Sequence, residues 1–275
     1  MFVVLNTKES GKRKIRRGKT VDKVYEYPTG GGERFYIVDV LDSETGVNWD
    51  EVAYFTGKHG KSVLLDRNIA FPDYCLLERF EPLDFKNLLL FNTLSTVFKQ
   101  LYLYGYRMNC YIHDPKGLYA AFLPKTVRYA SETVVITKSS FRYFSEASSV
   151  YADFGASVTI TDKAEITDKA AIIIDTDGSF EETSAGIRFS VDGSGMTPAE
   201  VDGFDHLKSL CPPYIDTLDF LGAVYQRNRE KSLENAVCRS FRSNDETLSV
   251  SDILQMITNI KNQNINSAKS VIFYV

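Results

Sequence analysis

Two carboxylates stand two residues apart in Ala171-Ile-Ile-Ile-Asp175-Thr-Asp177-Gly178-Ser179, directly after an apolar run. At such a spacing a carboxylate pair can share acid–base or nucleophilic work, or hold a divalent cation. Two further polar turns follow apolar runs of the same kind: Asp114-Pro115-Lys116-Gly117 and Lys138-Ser139-Ser140. A lysine, two hydroxyls and the N–H groups that open a helix suit an anion. If the apolar runs are parallel strands, these turns gather at the carboxyl edge of one sheet, where open α/β sheets bind ligands. The expected ligand-binding set is therefore Asp114, Lys116, Gly117, Lys138, Ser139, Ser140, Asp175 and Asp177. No residue is assigned as catalytic, no protein-held metal is expected, and the cofactor is left open.

The nine residues from Ala171 to Ser179 resemble the first motif of haloacid-dehalogenase-like phosphatases, an apolar strand followed by Asp-x-Asp-Gly-Thr. Ser179 stands where that family has threonine. The resemblance implies Asp175 as nucleophile and Asp177 as general acid/base, with a magnesium ion between them. It implies magnesium-dependent phosphoryl transfer as the enzymatic alternative for this chain.

Other chemistry is excluded by spacing. Gly57-Lys58-His59-Gly60-Lys61-Ser62 lacks the first glycine of a phosphate-binding loop, because position 55 is Phe55. It also joins a predicted helix to a predicted strand, the reverse of what cradles phosphate. Gly30-Gly31-Gly32 precedes a strand and lacks the dinucleotide-binding spacing, so it reads as a hairpin tip. No Gly-x-Ser-x-Gly elbow occurs. His113 ends a strand beside Asp114, where packing is a commoner role than chemistry, and His59 and His206 fall in turns.

The elements that must position these turns follow from periodicity. Residues 109–114, 133–137, 157–161 and 171–175 read as strands of one mostly parallel sheet. Between them, 118–129 is helical and broken at Pro124. Residues 141–154 form an amphipathic helix with Ser139 or Ser140 as cap and Gly155 as stop. Its apolar stripe, Phe141, Phe144, Ala147, Val150 or Tyr151, and Phe154, is expected to be buried. A long helix spans 84–104, and the chain divides before it, near Glu81-Pro82. The smaller N-terminal lobe, 1–82, is α/β, with strands at 2–5, 34–40 and 61–66, a further one within 74–80, and a helix at 47–55. In the larger domain, 83–275, the segments 175–185 and 193–205 read as loops. A strand is expected at 187–191, and helices at 215–228 and from the capping pattern Ser249-Val-Ser-Asp252 through Ile260. The β-rich terminus, 270–275, is expected to join a sheet.

The composition fits a globular α/β protein: 275 residues, 44% apolar, with 32 basic against 36 acidic side chains and a net charge of −4. That balance argues against nucleic acid as the general partner. Residues 8–23 are the one basic run, with eight Lys and Arg, yet no aromatic is interleaved to stack bases. The run reads as a mobile loop. Four scattered cysteines in no metal spacing read as free thiols in a reducing cytoplasm. No apolar run approaches the length of a membrane span. The resulting expectation is a Rossmann-like, doubly wound α/β protein without dedicated catalysis. It would be a binding or regulatory module holding a small, phosphate-bearing anion. The alternatives are the phosphoryl-transfer enzyme above, a divergent nucleotide-cofactor enzyme, and a protein-interaction scaffold whose sheet edge is filled by side chains.

Overall fold

A computed structural model describes residues 1–9, 20–29, 34–42, 46–57, 62–66, 69–180, 185–192 and 195–272. They divide into two compact units: residues 1–85 with 203–234, and residues 86–202 with 235–275. The first boundary lies a few residues past Glu81-Pro82, and the chain re-enters the first unit over 203–234.

In the first unit, β1 (Phe2–Glu9), β2 (Val21–Pro28), β3 (Arg34–Asp42), β4 (Ser62–Leu64) and β5 (Glu78–Arg79) form a sheet in the order β2-β3-β1-β4-β5. All pairs are parallel except the antiparallel β2–β3. Phe2, Val3, Val4 and Leu5 are buried without alternation, the pattern of a strand covered on both faces. Helix α1 (Trp49–Thr56) starts where the Asn48 side chain accepts from the Glu51 N–H, and it buries Val52 against Val3, Val38 and Val63. Strand β2 goes beyond the sequence expectation, because its largely exposed residues from Asp22 to Tyr27 show no apolar alternation. Of the basic run, Lys8 and Lys23 therefore lie on strands, and Lys8 reaches Asp39 at 2.5 Å. Residues 10–19 of that run, the three glycines at 30–32 and the turn at 58–61 lie outside the described residues.

Helix α2 (Leu83–Leu103) matches the predicted long helix to within a residue. The second unit then builds β6 (Asn109–His113) and a 3-10 turn (Ala120–Phe122) that runs into α3 (Leu123–Val127). Pro124 sits in the first turn of α3, where its missing N–H costs nothing. Strand β7 (Glu132–Ile136), a 3-10 turn (Ser140–Arg142), α4 (Phe144–Phe154), β8 (Val158–Thr161), β9 (Ile172–Asp175) and β10 (Ile187–Ser190) follow. The five strands form one wholly parallel sheet in the order β10-β9-β6-β7-β8. The four strands predicted to share a sheet do share it, and the architecture is α/β with helices flanking a five-stranded parallel sheet.

Three expectations fail here for local reasons. Gly155 ends α4 in the left-handed conformation (φ 65°), as its position implied, but neither Ser139 nor Ser140 caps by its side chain. The α4 stripe is not buried: the packing is made by Tyr143 and Val150, while Phe141, Phe144, Tyr151 and Phe154 face outward. The segment 197–201, expected as loop, is β11 (Thr197–Val201), an edge strand whose Pro198 is tolerated because only one neighbour pairs with it.

After β11 the chain passes through α5 (Asp205–Lys208) and α6 (Thr217–Asn228) in the first unit. Asp216 caps α6, accepting from the N–H groups of Leu218 and Asp219. Phe220 packs edge-on to Phe2 and Phe35, with centroids 5.8 and 5.2 Å apart. Strands β12 (Cys238–Ser243) and β13 (Glu246–Ser249) complete a three-stranded antiparallel sheet with β11, and α7 (Val250–Ile272) follows. The capping box is present, with reciprocal bonds between Ser249 and Asp252. It starts a helix that continues well past Ile260, so residues 270–272 are helical rather than strand; 273–275 lie outside the described residues. Helix propagation from a good cap outweighs the β preference of a short apolar run. All four cysteines are free, and no described helix is long and apolar enough to cross a membrane.

Candidate functional site

The carboxyl edge of the parallel sheet carries two neighbouring groups of polar side chains. The first is built from the turns after β6 and β7. Asp114 is buried at 1% exposure, and its Oδ2 accepts from the Tyr119 N–H and the Tyr143 hydroxyl, each at 2.8 Å. Burial, and then the charge of Asp114, push the Tyr143 phenol up. Asp114 is thus the staple of its turn. Gly117 adopts φ 66°, and a Cβ there would stand 3.0 Å from Ser139 Cβ and from Arg142 Cδ. Only glycine lets the two turns close so tightly. The Lys138 N–H donates to the Pro115 carbonyl, joining them.

The consequence is an edge on which Lys116, Lys138, Ser140 and Arg142 are all exposed. Among the described residues, the backbone N–H groups of Ser140 and Phe141 have no acceptor. Six of the eight residues anticipated from sequence, Asp114, Lys116, Gly117, Lys138, Ser139 and Ser140, therefore lie together. Arg142 and Tyr143 were missed, being indistinguishable in sequence from ordinary helix residues.

Asp175 and Asp177 belong to a second group, with His113 and Arg188. Strands β6 and β9 are paired so that His113 is the direct partner of Asp175. Aligned residues on neighbouring strands have adjacent side chains, and His113 Nδ1 lies 3.0 Å from Asp175 Oδ1 and 3.8 Å from Asp177 Oδ1. Since Asp175 is held ionised, the imidazole is the donor. Arg188, from β10, donates to Asp175 Oδ2 through both Nε (3.1 Å) and its terminal nitrogen. The N–H groups of Gly178 and Phe180 complete the carboxylate's shell. Burial pushes the Asp175 carboxyl up, but the bonds from His113 and Arg188 outweigh it and hold it below the usual carboxylate range. Asp192 packs over Gly178 so closely that a Cβ there would stand 1.8 Å from Asp192 Oδ2.

This group can be tested against the magnesium that the resemblance implies. His113, Asp175 and Asp177 each place a donor atom within 4.8 Å of the others. However, both Asp175 oxygens are engaged, its side chain is 0% exposed, and Arg188 already neutralises it. Asp177 Oδ1 is taken by the N–H and hydroxyl of Ser179. Magnesium demands octahedral oxygen ligands and usually keeps several waters, which a closed, arginine-paired carboxylate does not fit. Sequence signalled the two carboxylates but not the neutralisation of Asp175, because Arg188 reaches it only through a strand pairing that spacing cannot reveal. No protein-family model matches the chain, and no curated protein matches its sequence.

Proposed function

We propose that this chain is a binding module with a Rossmann-like sheet that holds a small, phosphate-bearing ligand at the carboxyl edge, without dedicated catalysis. The observation that carries this reading is the closure of the β6 and β7 turns. It sets Lys116, Lys138 and Arg142 beside the open N–H groups of Ser140 and Phe141. Cations and fixed N–H donors together are what a phosphate requires. The strand order adds support. The chain runs outward from β6 through β7 to β8, then returns to the other side of β6 as β9 and β10. The reversal falls between β6 and β9, so the β6 turn borders it while the β7 turn does not; ligands of open parallel sheets lie at such a reversal.

The test is a thermal-shift series with inorganic pyrophosphate and adenosine nucleotides, followed by calorimetry on any that bind. At least one should raise the melting temperature. Lys138→Ala should weaken its binding by about 1–2 kcal/mol, the worth of a charge-assisted hydrogen bond. It should leave folding unchanged, because Lys138 is exposed. No response to any phosphate-bearing probe sinks the reading.

The clustering of His113, Asp175 and Asp177 favours a second reading, magnesium-dependent phosphoryl transfer. The engagement of Asp175 weighs against it as a nucleophile. Incubation with magnesium and an aryl phosphate should release no phosphate. Release that disappears in Asp177→Asn would reverse the ranking.

A further inference from the structure

The carboxylates at the end of β9 stand beside an imidazole that the phosphatase motif does not contain, and this nitrogen changes which metal the group fits. His113, Asp175 and Asp177 each place a donor atom within 4.8 Å of the others. His113 Nδ1 lies 3.0 Å from Asp175 Oδ1 and 3.8 Å from Asp177 Oδ1. Donors held at about 2.0–2.2 Å around a tetrahedral metal stand roughly 3.3–3.5 Å from one another. The two distances straddle that separation. The imidazole is also held in place by its surroundings. Thr176 donates to the His113 carbonyl through both its N–H and its hydroxyl, each at 3.0 Å, and the Phe180 ring packs against the imidazole with centroids 5.1 Å apart.

What this group refuses to magnesium, it can give to zinc. Zinc accepts nitrogen with oxygen, takes four donors, and needs only one oxygen from each carboxylate. Arg188 and the Phe180 N–H hold Asp175 by Oδ2, and zinc would leave those bonds in place. A carboxylate ligand is ordinarily oriented by such bonds to its other oxygen. At Oδ1, zinc replaces only the proton that His113 Nδ1 donates. That proton moves to Nε2, since a neutral imidazole carries one proton on either nitrogen. Ser179 bonds Asp177 through Oδ1 alone, so Oδ2 is left to the metal. Charge points the same way. Arg188 balances Asp175, but among the described residues the ion-pair partner of Asp177 is His113 and no other. With His113 neutral, two carboxylates face one guanidinium, and the surplus negative charge sits among side chains 0, 13 and 27% exposed. We propose that His113, Asp175 and Asp177 form a zinc site, His113 binding through Nδ1 and each aspartate through one oxygen. The fourth tetrahedral position is left to water. The site draws on none of the residues of the Lys116, Lys138 and Arg142 edge, so zinc binding and phosphate binding stand or fall separately.

Calorimetric titration of the full chain with zinc, after treatment with a chelator, tests this. One equivalent should bind with a dissociation constant on the order of 1 μM or tighter. It should raise the melting temperature, and added chelator should reverse the rise. Cobalt titrated in place of zinc should give the visible absorption of a tetrahedral ion, without the near-ultraviolet band of a cobalt–thiolate bond that the free cysteines would produce. Two variants locate the ion. Asp177→Asn should weaken zinc binding at least about 10-fold, while the metal-free protein melts as the parent does, because Asp177 is partly exposed and its Oδ1 still accepts from Ser179. His113→Asn keeps an N–H donor toward Asp175 but offers no imidazole nitrogen, and it should abolish the cobalt spectrum. Millimolar magnesium should neither bind nor displace zinc. A chain that takes up no zinc in the micromolar range overturns the proposal. So does binding indifferent to both variants, a cobalt spectrum with a thiolate band, or displacement of zinc by magnesium.

Discussion

Asp175 concentrates the energetic risk of the carboxyl edge in one side chain. A buried carboxylate is tolerated only when it is paired and hydrogen-bonded, and here His113, Arg188 and two backbone N–H groups do both. Its removal strands the Arg188 guanidinium, which is only 12% exposed. Asp175→Asn should therefore cost about 3–5 kcal/mol at neutral pH, the range for breaking a buried ion pair. The pH dependence has a definite sign. The folded carboxyl titrates below the value of about 3.9 that it has when unfolded. Its contribution is therefore complete above the unfolded value and is lost as pH falls through the folded one. Urea unfolding of both proteins should show a gap that narrows as pH falls below about 4. A gap that persists unchanged in acid would mean that the asparagine harms packing rather than charge pairing. The two aspartates were legible in sequence as a pair at a strand end. Their roles were not, since Arg188 lies 13 residues away in sequence and arrives through the parallel pairing of β10 with β9.

At the scale of elements, apolar patterning served best for the elements buried inside the second unit. Helix α2 and strands β6, β7 and β9 fall within a residue or two of their expected bounds. It served worst at α4, whose Gly155 end is placed correctly but whose start lies three residues later than expected and whose aromatic stripe faces solvent. Apolar residues at helical spacing give a helix an apolar side, but they do not say what covers that side. Strands β2 and β12 escaped notice for a related reason: an edge strand, or one in a small antiparallel sheet, mixes charged residues with apolar ones. Helix α6 offers a contest that magnitudes decide. Gly222 lies in its interior, where alanine would gain about 0.5–1 kcal/mol of helix propensity. A Cβ at that point would stand 2.2 Å from Pro82 Cβ, in a buried contact with a rigid ring. Overpacking of that severity costs about 1–3 kcal/mol, so Gly222→Ala should lower the melting temperature despite its better propensity. A stabilised variant would show that α6 can shift away from Pro82 without penalty.

The chain is interleaved at the scale of the whole molecule, and no local signal announces it. Composition and charge change little across residues 203–234, so a reading along the sequence places them with the domain they interrupt. They belong instead to the unit begun by β1, and they supply an indispensable part of its core. Leu218, Phe220, Leu221, Ala223 and Val224 are all buried, and Phe220 rests on Phe2 and Phe35. Large side chains of this kind contribute about 1.5–3 kcal/mol each when buried, against a total stability of about 5–15 kcal/mol for a typical domain. Losing α6 also exposes the apolar surface of Phe2 and Phe35 to water. Residues 1–85 expressed alone should consequently fail to fold, showing poor amide dispersion by NMR and no cooperative thermal transition. Joining 203–234 to that fragment through a flexible linker should restore both. A cooperative, well-dispersed 1–85 would mean that β1 to β5 hold a sufficient core by themselves, and that α6 is an accessory to the first unit rather than a part of it.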